Sequence, residues 1–236
     1  MKKSILGLLL LLSFVNAKEI YATFNVVALH DAKLTFIASG IVNKVNVDIG
    51  SYVKKGDILA QLDNSDIKAM LEVAKTALKY ASRDYQRQLK VKELIDEAKF
   101  DAISNRYESA KNQLAYQEAL YDKTYLKAPF NGVIYEKNIE LGDGVSGMML
   151  KTVFKIQSKE RRKLLVEFDQ KNHKFIKVGD TFIYKVDGDD KNYSEKIVKI
   201  YPRANLENRK ITAEVRANNI LTGLFGDGYI ITKEKK

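Results

Sequence analysis

Apolar and polar positions in the middle of the chain follow a helical rhythm. Ile67, Leu71, Ala74, Leu78, Ala81 and Tyr85, continued by Gln88, Lys92 and Ile95, step by four and three. Phe100, Ile103, Tyr107, Ala110, Leu114, Gln117 and Tyr121 repeat the rhythm. Such a step keeps one stripe of a helix turned toward a partner, and two segments in succession predict two antiparallel helices in a coiled-coil hairpin. Residues 65–124 contain neither Gly nor Pro and are rich in good helix formers. Asn64, Ser65 and Asp66 offer N-caps at the start. The break is expected near Leu94, Ile95 and Asp96, with Asp96 capping the return helix. Ala, Tyr, Gln and Lys at seam positions make a thin core. That suits a projecting arm better than two helices of a globular bundle, with roughly 28 residues a side, or about 40 Å.

The segments flanking this arm resemble each other. Gly40, Ile41 and Val42 are followed by Gly50, Val53, Gly56 and Leu59. Gly132, Val133 and Ile134 are followed by Gly142, Val145, Gly147 and Leu150. The offset is 92 residues up to the Val pair and 91 after it. Both copies read as short alternating strands with glycine turns, in which the glycines supply positive φ. A fragment of this size cannot build a core alone, so the two halves are expected to form one small β-sandwich with the helices inserted between them.

The first residues change where the protein is expected to work. Lys2 and Lys3 precede an apolar run at residues 5–15, and Val15, Asn16 and Ala17 follow as a cleavage-site pattern. This reads as a cleavable export signal, with the mature chain beginning near Lys18. The run is short for a bilayer span, which takes about 20 apolar residues, so an uncleaved anchor is the weaker reading. The sequence of 236 residues holds no Cys. Disulfides, thiolate metal sites and a cysteine-linked lipid anchor are thereby excluded. The formal net charge is +10, but the lysines are scattered among acids, which reads as a solvated surface rather than a nucleic-acid groove. Charge alone suggests a DNA-binding coiled coil, but no base-reading motif supports it.

The residues also carry a family resemblance. The Gly40 segment through Gly56, Asp57, Ile58, Leu59, Leu62 and Asp63 resembles the first half of a biotinyl/lipoyl-like domain. Leu126, Lys127, Ala128, Pro129, Phe130, Asn131, Gly132, Val133 and Ile134, followed by Leu141, Gly142, Asp143, Gly144 and Val145, resembles the second half. The order of half-motif, heptad hairpin and Ala-Pro-Phe-x-Gly half-motif is similar to the periplasmic adaptors (membrane fusion proteins) of tripartite efflux pumps of the resistance-nodulation-division (RND) class. The segment Leu164, Leu165, Val166, Glu167, Phe168 and Asp169 resembles the start of the family's β-barrel. The stretch from Ile200, Tyr201 and Pro202 to Gly226 resembles its end.

The resemblance implies a mainly β fold with a long α-helical coiled-coil hairpin. Residues 1–17 would be the signal. Residues 36–63 and 127–156 would be the two halves of the lipoyl-like sandwich. Residues 64–126 would be the hairpin, and residues 18–35 and 157–236 the barrel. The chain ends too soon after the barrel for the family's fourth, membrane-proximal domain, which implies a short form. The half-motif turns would be Gly40, Gly50, Gly56, Pro129, Gly132, Gly142 and Gly147. Channel-docking tips in the family often show Arg, Leu four on and Ser seven further. Here the nearest match is Arg87, Val91 and Asp96, with the last gap two residues shorter and Ser replaced by Asp. Leu94 and Ile95 complete the candidate tip.

The implied role is an oligomeric scaffold, a ring of several copies. It would link an inner-membrane RND-type transporter to an outer-membrane channel and pass movement through hinges near Asp63, Asn64 and Ser65, near Thr124 and Tyr125, and near Gln157 and Ser158. No catalysis, cofactor or metal site is expected, no nucleic acid is bound, and membrane contact is peripheral at most. The cargo class stays open among drugs, bile-like amphiphiles, solvents and metals. The competing expectation is a biotinyl/lipoyl-type carrier or accessory protein. Against it, the turn that would carry the modified Lys is replaced by helix, and Met148, Met149, Leu150 and Lys151 read as strand core in the wrong half. Asp187, Asp189 and Asp190 around Gly188 read as a β-turn rather than a cation site.

Overall fold

The computed structural model describes residues 17–233. The export signal therefore lies outside the described residues. The chain divides into two compact units, with the crossings after Leu29 and before Glu160.

The first unit is a closed six-stranded barrel. Its strands are β1 (Ala17–Ala28), β10 (Arg161–Asp169), β11 (Thr181–Val186), β12 (Asn192–Ala204), β13 (Lys210–Asn218) and β14 (Phe225–Lys233), in the order β1-β10-β13-β12-β11-β14 and back to β1. Strict alternation builds it. In β10, Arg162, Leu164, Val166 and Phe168 point inward and are buried, while their neighbours stay partly or fully exposed. Phe24 meets Phe182 and Tyr184 edge-on inside, with centroids 5.8 and 5.1 Å away. Burial pushes the Tyr184 phenol up to about 12, with the Glu195 charge and Tyr193 adding to it. At one end the β11–β12 turn runs through Gly188, with the Asp189 N–H bonded to Val186 O at 2.9 Å.

The second unit, residues 30–159, holds a sandwich and two helices. The strands are β2 (Asp31–Leu34), β3 (Gly40–Val45), β4 (Tyr52–Val53), β5 (Ile58–Leu62), β6 (Tyr125–Lys127), β7 (Gly132–Lys137), β8 (Gly144–Val145) and β9 (Phe154–Ser158). They form two four-stranded sheets, β2-β9-β7-β4 and β6-β5-β3-β8. Each sheet takes strands from both halves, so neither half closes without the other. The core between them includes Val42, Leu59, Leu62, Ile134, Phe154 and Ile156. β2 pairs with β9 from Leu34↔Phe154 to Asp31↔Gln157. Residues 31–34 and, at the other boundary, Gln157 and Ser158, all expected in the barrel from the sequence, therefore pair within the sandwich.

Helix α1 (Ser65–Leu89) and helix α2 (Glu97–Asp122) fill the space in sequence between β5 and β6 and pack against each other. Burial follows the expected rhythm: Leu71, Ala74, Ala81 and Phe100 are buried, and Ile67, Leu78, Tyr85, Ile103, Tyr107, Ala110, Leu114, Gln117 and Tyr121 are half-buried. At 25 and 26 residues the helices are slightly shorter than expected. α1 ends at Leu89, and a single 3-10 turn, Lys92–Leu94, follows. Lys92 therefore leaves the seam it was assigned to; its ammonium lies over the Phe100 ring, 5.0 Å from the centroid.

Candidate functional site

Three places carry the residues singled out from the sequence: the far end of the helix pair, its root, and the glycine turns of the sandwich.

At the far end the chain reverses through two tight bonds, Val91 N–H to Gln88 O at 3.1 Å and Leu94 N–H to Val91 O at 2.9 Å. Asp96 caps α2, its carboxylate accepting from the Lys99 N–H at 3.2 Å. Leu94 is 84% exposed and Val91 is also exposed, while Ile95 is half-buried. Arg87 bonds Asp84 one turn back on α1. Its distance from Val91 in sequence thus places it on the helix flank, not in the turn. Beneath the turn sits an aromatic cluster. Tyr85 stacks on Tyr107 at 4.9 Å and meets Phe100 at 5.8 Å. The heptad pattern placed all three in the seam; their stacking follows from three aromatics meeting at one level of a narrow helix pair.

At the root, Asn64 and Thr124 are both buried, and the Asn64 amide donates to Thr124 Oγ1 at 2.9 Å. Thr124 Oγ1 in turn donates to Tyr121 O at 2.7 Å, and the Leu62 N–H bonds Thr124 O at 2.9 Å. The Asp63 carboxylate holds both the N–H and the hydroxyl of Ser65. Asn64 occupies the N-cap position of α1, but its side chain bonds across to Thr124, just past the end of α2, instead of capping. Two of the three segments read as hinges are thus tied to each other. Pivoting between them would break a buried polar pair, which costs more than loosening an exposed linker.

In the sandwich, Gly50, Gly56 and Gly142 adopt positive φ, at 86°, 93° and 90°. Gly50 and Gly142 share one task. The Gly50 N–H bonds Ile134 O at 2.7 Å, and the Gly142 N–H bonds Val42 O at 2.9 Å. The Ile134 N–H returns to Ser51 O at 3.0 Å, and the Val42 N–H to Asp143 O at 2.9 Å. Every position in the first set is 92 residues from its counterpart in the second, so the halves clasp each other through a pseudo-twofold axis. Gly132 and Gly147 are needed for a different reason. A Cβ on Gly132 would lie 2.4 Å from Gln157 O, and one on Gly147 would lie 2.3 Å from Ile37 O. Gly40 meets no such barrier. Pro129, in the Ala-Pro-Phe turn between β6 and β7, is exposed, whereas Ala128 beside it is buried.

Met148, Met149 and Leu150 are not strand core. They form an exposed connection between β8 and β9. Met149 borders a cleft of about 350 Å³ at the sandwich edge, with Phe36, Ile139, Val145 and Val153. Gly147 fits tightly against Ile37, and the burial expected of Leu150 falls to Val153. Lys151 is therefore exposed as well, though it stays outside the connection between the halves.

The arrangement has known counterparts. The family described as the CzcB-like, barrel-sandwich hybrid domain matches residues 31–157. The cobalt-zinc-cadmium resistance protein CzcB of Cupriavidus metallidurans is 33% identical over 125 residues, covering 46% of this chain and 24% of the relative. The chain thus spans about a quarter of the length of the curated relatives it matches. A MacA-MexA chimeric protein containing the Pseudomonas aeruginosa MexA alpha-hairpin domain superposes with a TM-score of 0.81 at 19% identity, over 91% of this chain and 81% of the other. The membrane fusion protein Spr0693 of Streptococcus pneumoniae superposes with a TM-score of 0.73 at 16% identity, over 92% of this chain and 100% of the other. At those identities the likeness is one of fold.

Proposed function

The chain belongs to the CzcB-like barrel-sandwich hybrid family, and from that premise we propose that it is a non-catalytic adaptor subunit of a tripartite efflux system. In this role it works in the periplasm after export by the residue 1–17 signal, and couples an inner-membrane RND-type transporter to an outer-membrane channel. The observation that carries the reading is the helix pair itself. It is inserted between two half-sandwiches that clasp each other, it is tied at its root by Asn64 and Thr124, and it presents Val91 and Leu94 at its far end. That build supports a stiff arm, a coiled coil transmitting force from its root to its tip. Met70, Val73 and Tyr80 form an exposed apolar stripe along α1 at steps of three and seven. The stripe supports side-by-side packing of copies in a ring. The names of the curated relatives suggest divalent metal cations as the cargo of the assembled pump.

The absence of Cys makes a direct test available. Leu94→Cys and Tyr80→Cys each introduce a unique thiol for site-specific cross-linking in the cell envelope. Leu94→Cys is expected to capture an outer-membrane channel, and Tyr80→Cys a second copy of the chain. A strictly monomeric protein, with neither variant capturing a partner, overturns the proposal.

A further inference from the structure

One end of the barrel concentrates cations around apolar tips. β1 begins there, β10 ends there at Asp169, and β13 starts there at Lys210, its cross-strand partner. The connection from β10 to β11 contributes Lys171, Lys174 and Lys177 against one acid, Asp180. The Asp180 carboxylate is engaged by the Lys177 N–H at 2.7 Å. Ile176 is buried and anchors this connection to the barrel core, while Phe175 and Val178 remain 42% and 61% exposed. Lys18, at the start of β1, places its ammonium 3.9 Å from the Phe175 ring centroid. The adjacent end of β12 adds Arg203, and the β12–β13 turn adds Arg209 against one acid, Glu207, together with Leu206, which is 79% exposed. The Gln170 N–H joins the two connections by bonding Arg209 O at 3.1 Å. Lys171 pairs with Asp169 and Lys210 with Glu167. Lys174 and Lys177 carry no ion pair among the described residues. The β11–β12 turn at the other end has the opposite character, with Asp187, Asp189 and Asp190 around Gly188.

We propose that this basic, apolar-tipped end of the barrel docks on an anionic lipid bilayer. Lysine and arginine stems reach headgroup phosphates while Phe175, Val178 and Leu206 enter the interfacial layer. A protein partner fits less well, because interface cores are depleted of charge and here the cations outnumber the apolar tips. Chain continuity points the same way, since the apolar run at residues 5–15 directly precedes β1. Its removal leaves an α-ammonium beside Lys18; its retention leads into lipid. The adaptor reading enters only in deciding which membrane is met.

The test is co-sedimentation of the exported protein with vesicles of phosphatidylcholine alone and of phosphatidylcholine mixed with phosphatidylglycerol. Binding is expected to favour the anionic vesicles and to weaken as salt shortens the screening length from ~10 Å at 0.1 M to ~3 Å at 1 M. Each lysine near such a surface contributes about fivefold, so K171Q/K174Q/K177Q is expected to lose up to about a hundredfold of the anionic binding. F175S/V178S is expected to weaken binding to both vesicle types by a few fold. D187N/D189N/D190N, in the acidic turn, is the control and is expected to change nothing. Equal binding to both vesicle types, an unaffected triple lysine variant, or binding only when a transporter protein is embedded in the vesicles would each overturn the proposal. Because the lipid-only vesicles contain neither partner protein, a negative result on them leaves the channel cross-link from Leu94→Cys standing.

Discussion

Gly50 and Gly142 do the same job in the two halves of the sandwich; Leu59 and Leu150, matched by the same repeat, do not. Leu59 is fully buried in β5, whereas Leu150 is 70% exposed. The ladders explain the difference. β3 pairs with β5 through Val42↔Leu62, Lys44↔Gln61 and Val45↔Ala60. β7 pairs with β9 through Ile134↔Ile156, Glu136↔Lys155 and Lys137↔Phe154. Both ladders shift register at the same place, after Val42 and after Ile134. The inner strands are 92 residues apart, but their partners are 94 apart. Asn46 N–H bonds Leu59 O, and Asn138 N–H bonds Val153 O, with the same offset of 94 between the acceptors. Two extra residues in the second half are thus taken up between Val145 and Val153, where Met148–Leu150 is exposed, and Val153 is the true counterpart of Leu59. Backbone symmetry survived, while the side chains moved two places along the strand.

Core truncation breaks the comparison most sharply. Leu59→Ala is expected to destabilise the sandwich by about 3 kcal/mol, and Val153→Ala by about 2 kcal/mol, since a smaller side chain leaves a smaller cavity. Leu150→Ala is expected to stay within about 0.5 kcal/mol, as exposed substitutions do. Urea unfolding of the three variants reads this directly. A Leu150→Ala penalty close to that of Leu59→Ala would restore the sequence-drawn equivalence.

The next contrast concerns glycines at matched positions. Gly132→Ala drives a methyl against Gln157 O and Ile156, and is expected to cost about 2 kcal/mol through overpacking. Gly40→Ala meets Leu62 and Asp63 O at ordinary contact distances of 3.5 and 3.9 Å, and is expected to be close to neutral. Gly50→Ala and Gly142→Ala should instead behave alike. Neither Cβ meets an atom within 4 Å, but both need positive φ. Each is expected to cost about 1 kcal/mol from the left-handed backbone alone. Thermal unfolding of the four variants should give one unequal pair and one equal pair.

Much of this was legible in the sequence. The four–three step located both helices, the absence of Gly and Pro marked their span, and the Gly50/Gly142 repeat pointed to the clasp. Local periodicity reports which face of an element is covered, and these elements are covered along their length. What the sequence hid was register between distant strands. The repeat continued at an offset of 91 through Gly147 and Leu150 because Gly and Leu recur there, although Gly147, in a turn closed by the Met149 N–H on Ser146 O, is required by its close approach to Ile37 and not by a positive φ. Residues 31–34 were misplaced for a related reason. Leu34 pairs with Phe154 as Leu126 pairs with Ala60, so β2 is the counterpart of β6, a relation visible only once both sheets are assembled. Around the helix turn, the sequence could not show that Arg87 lies on the flank of α1 and is occupied by Asp84. The barrel-end cluster escaped notice because Lys18, Lys171 and Arg209 meet only when the barrel closes.

The smallest expected effect lies at the position just after the shared register shift. The first half places Lys44 opposite Gln61, and the second places Glu136 opposite Lys155. Only the second pair is ionic, and the Lys155 hydrogen bond, helped by Asn138, holds the Glu136 carboxyl below its usual range. A carboxyl with a lowered folded-state pKa binds fewer protons folded than unfolded. Its contribution is therefore present above the unfolded value of about 4.3 and lost as pH falls below it. The site is open to water and screened, so the effect is modest. Glu136→Gln is expected to leave the melting temperature near neutral pH almost unchanged and to flatten its decline between about pH 5 and pH 3. Lys44→Gln, at the matched position, is expected to leave that decline as it is. If the two variants show the same acid profile, the asymmetry at this pair has no bearing on stability, and the halves differ only in where their side chains are buried.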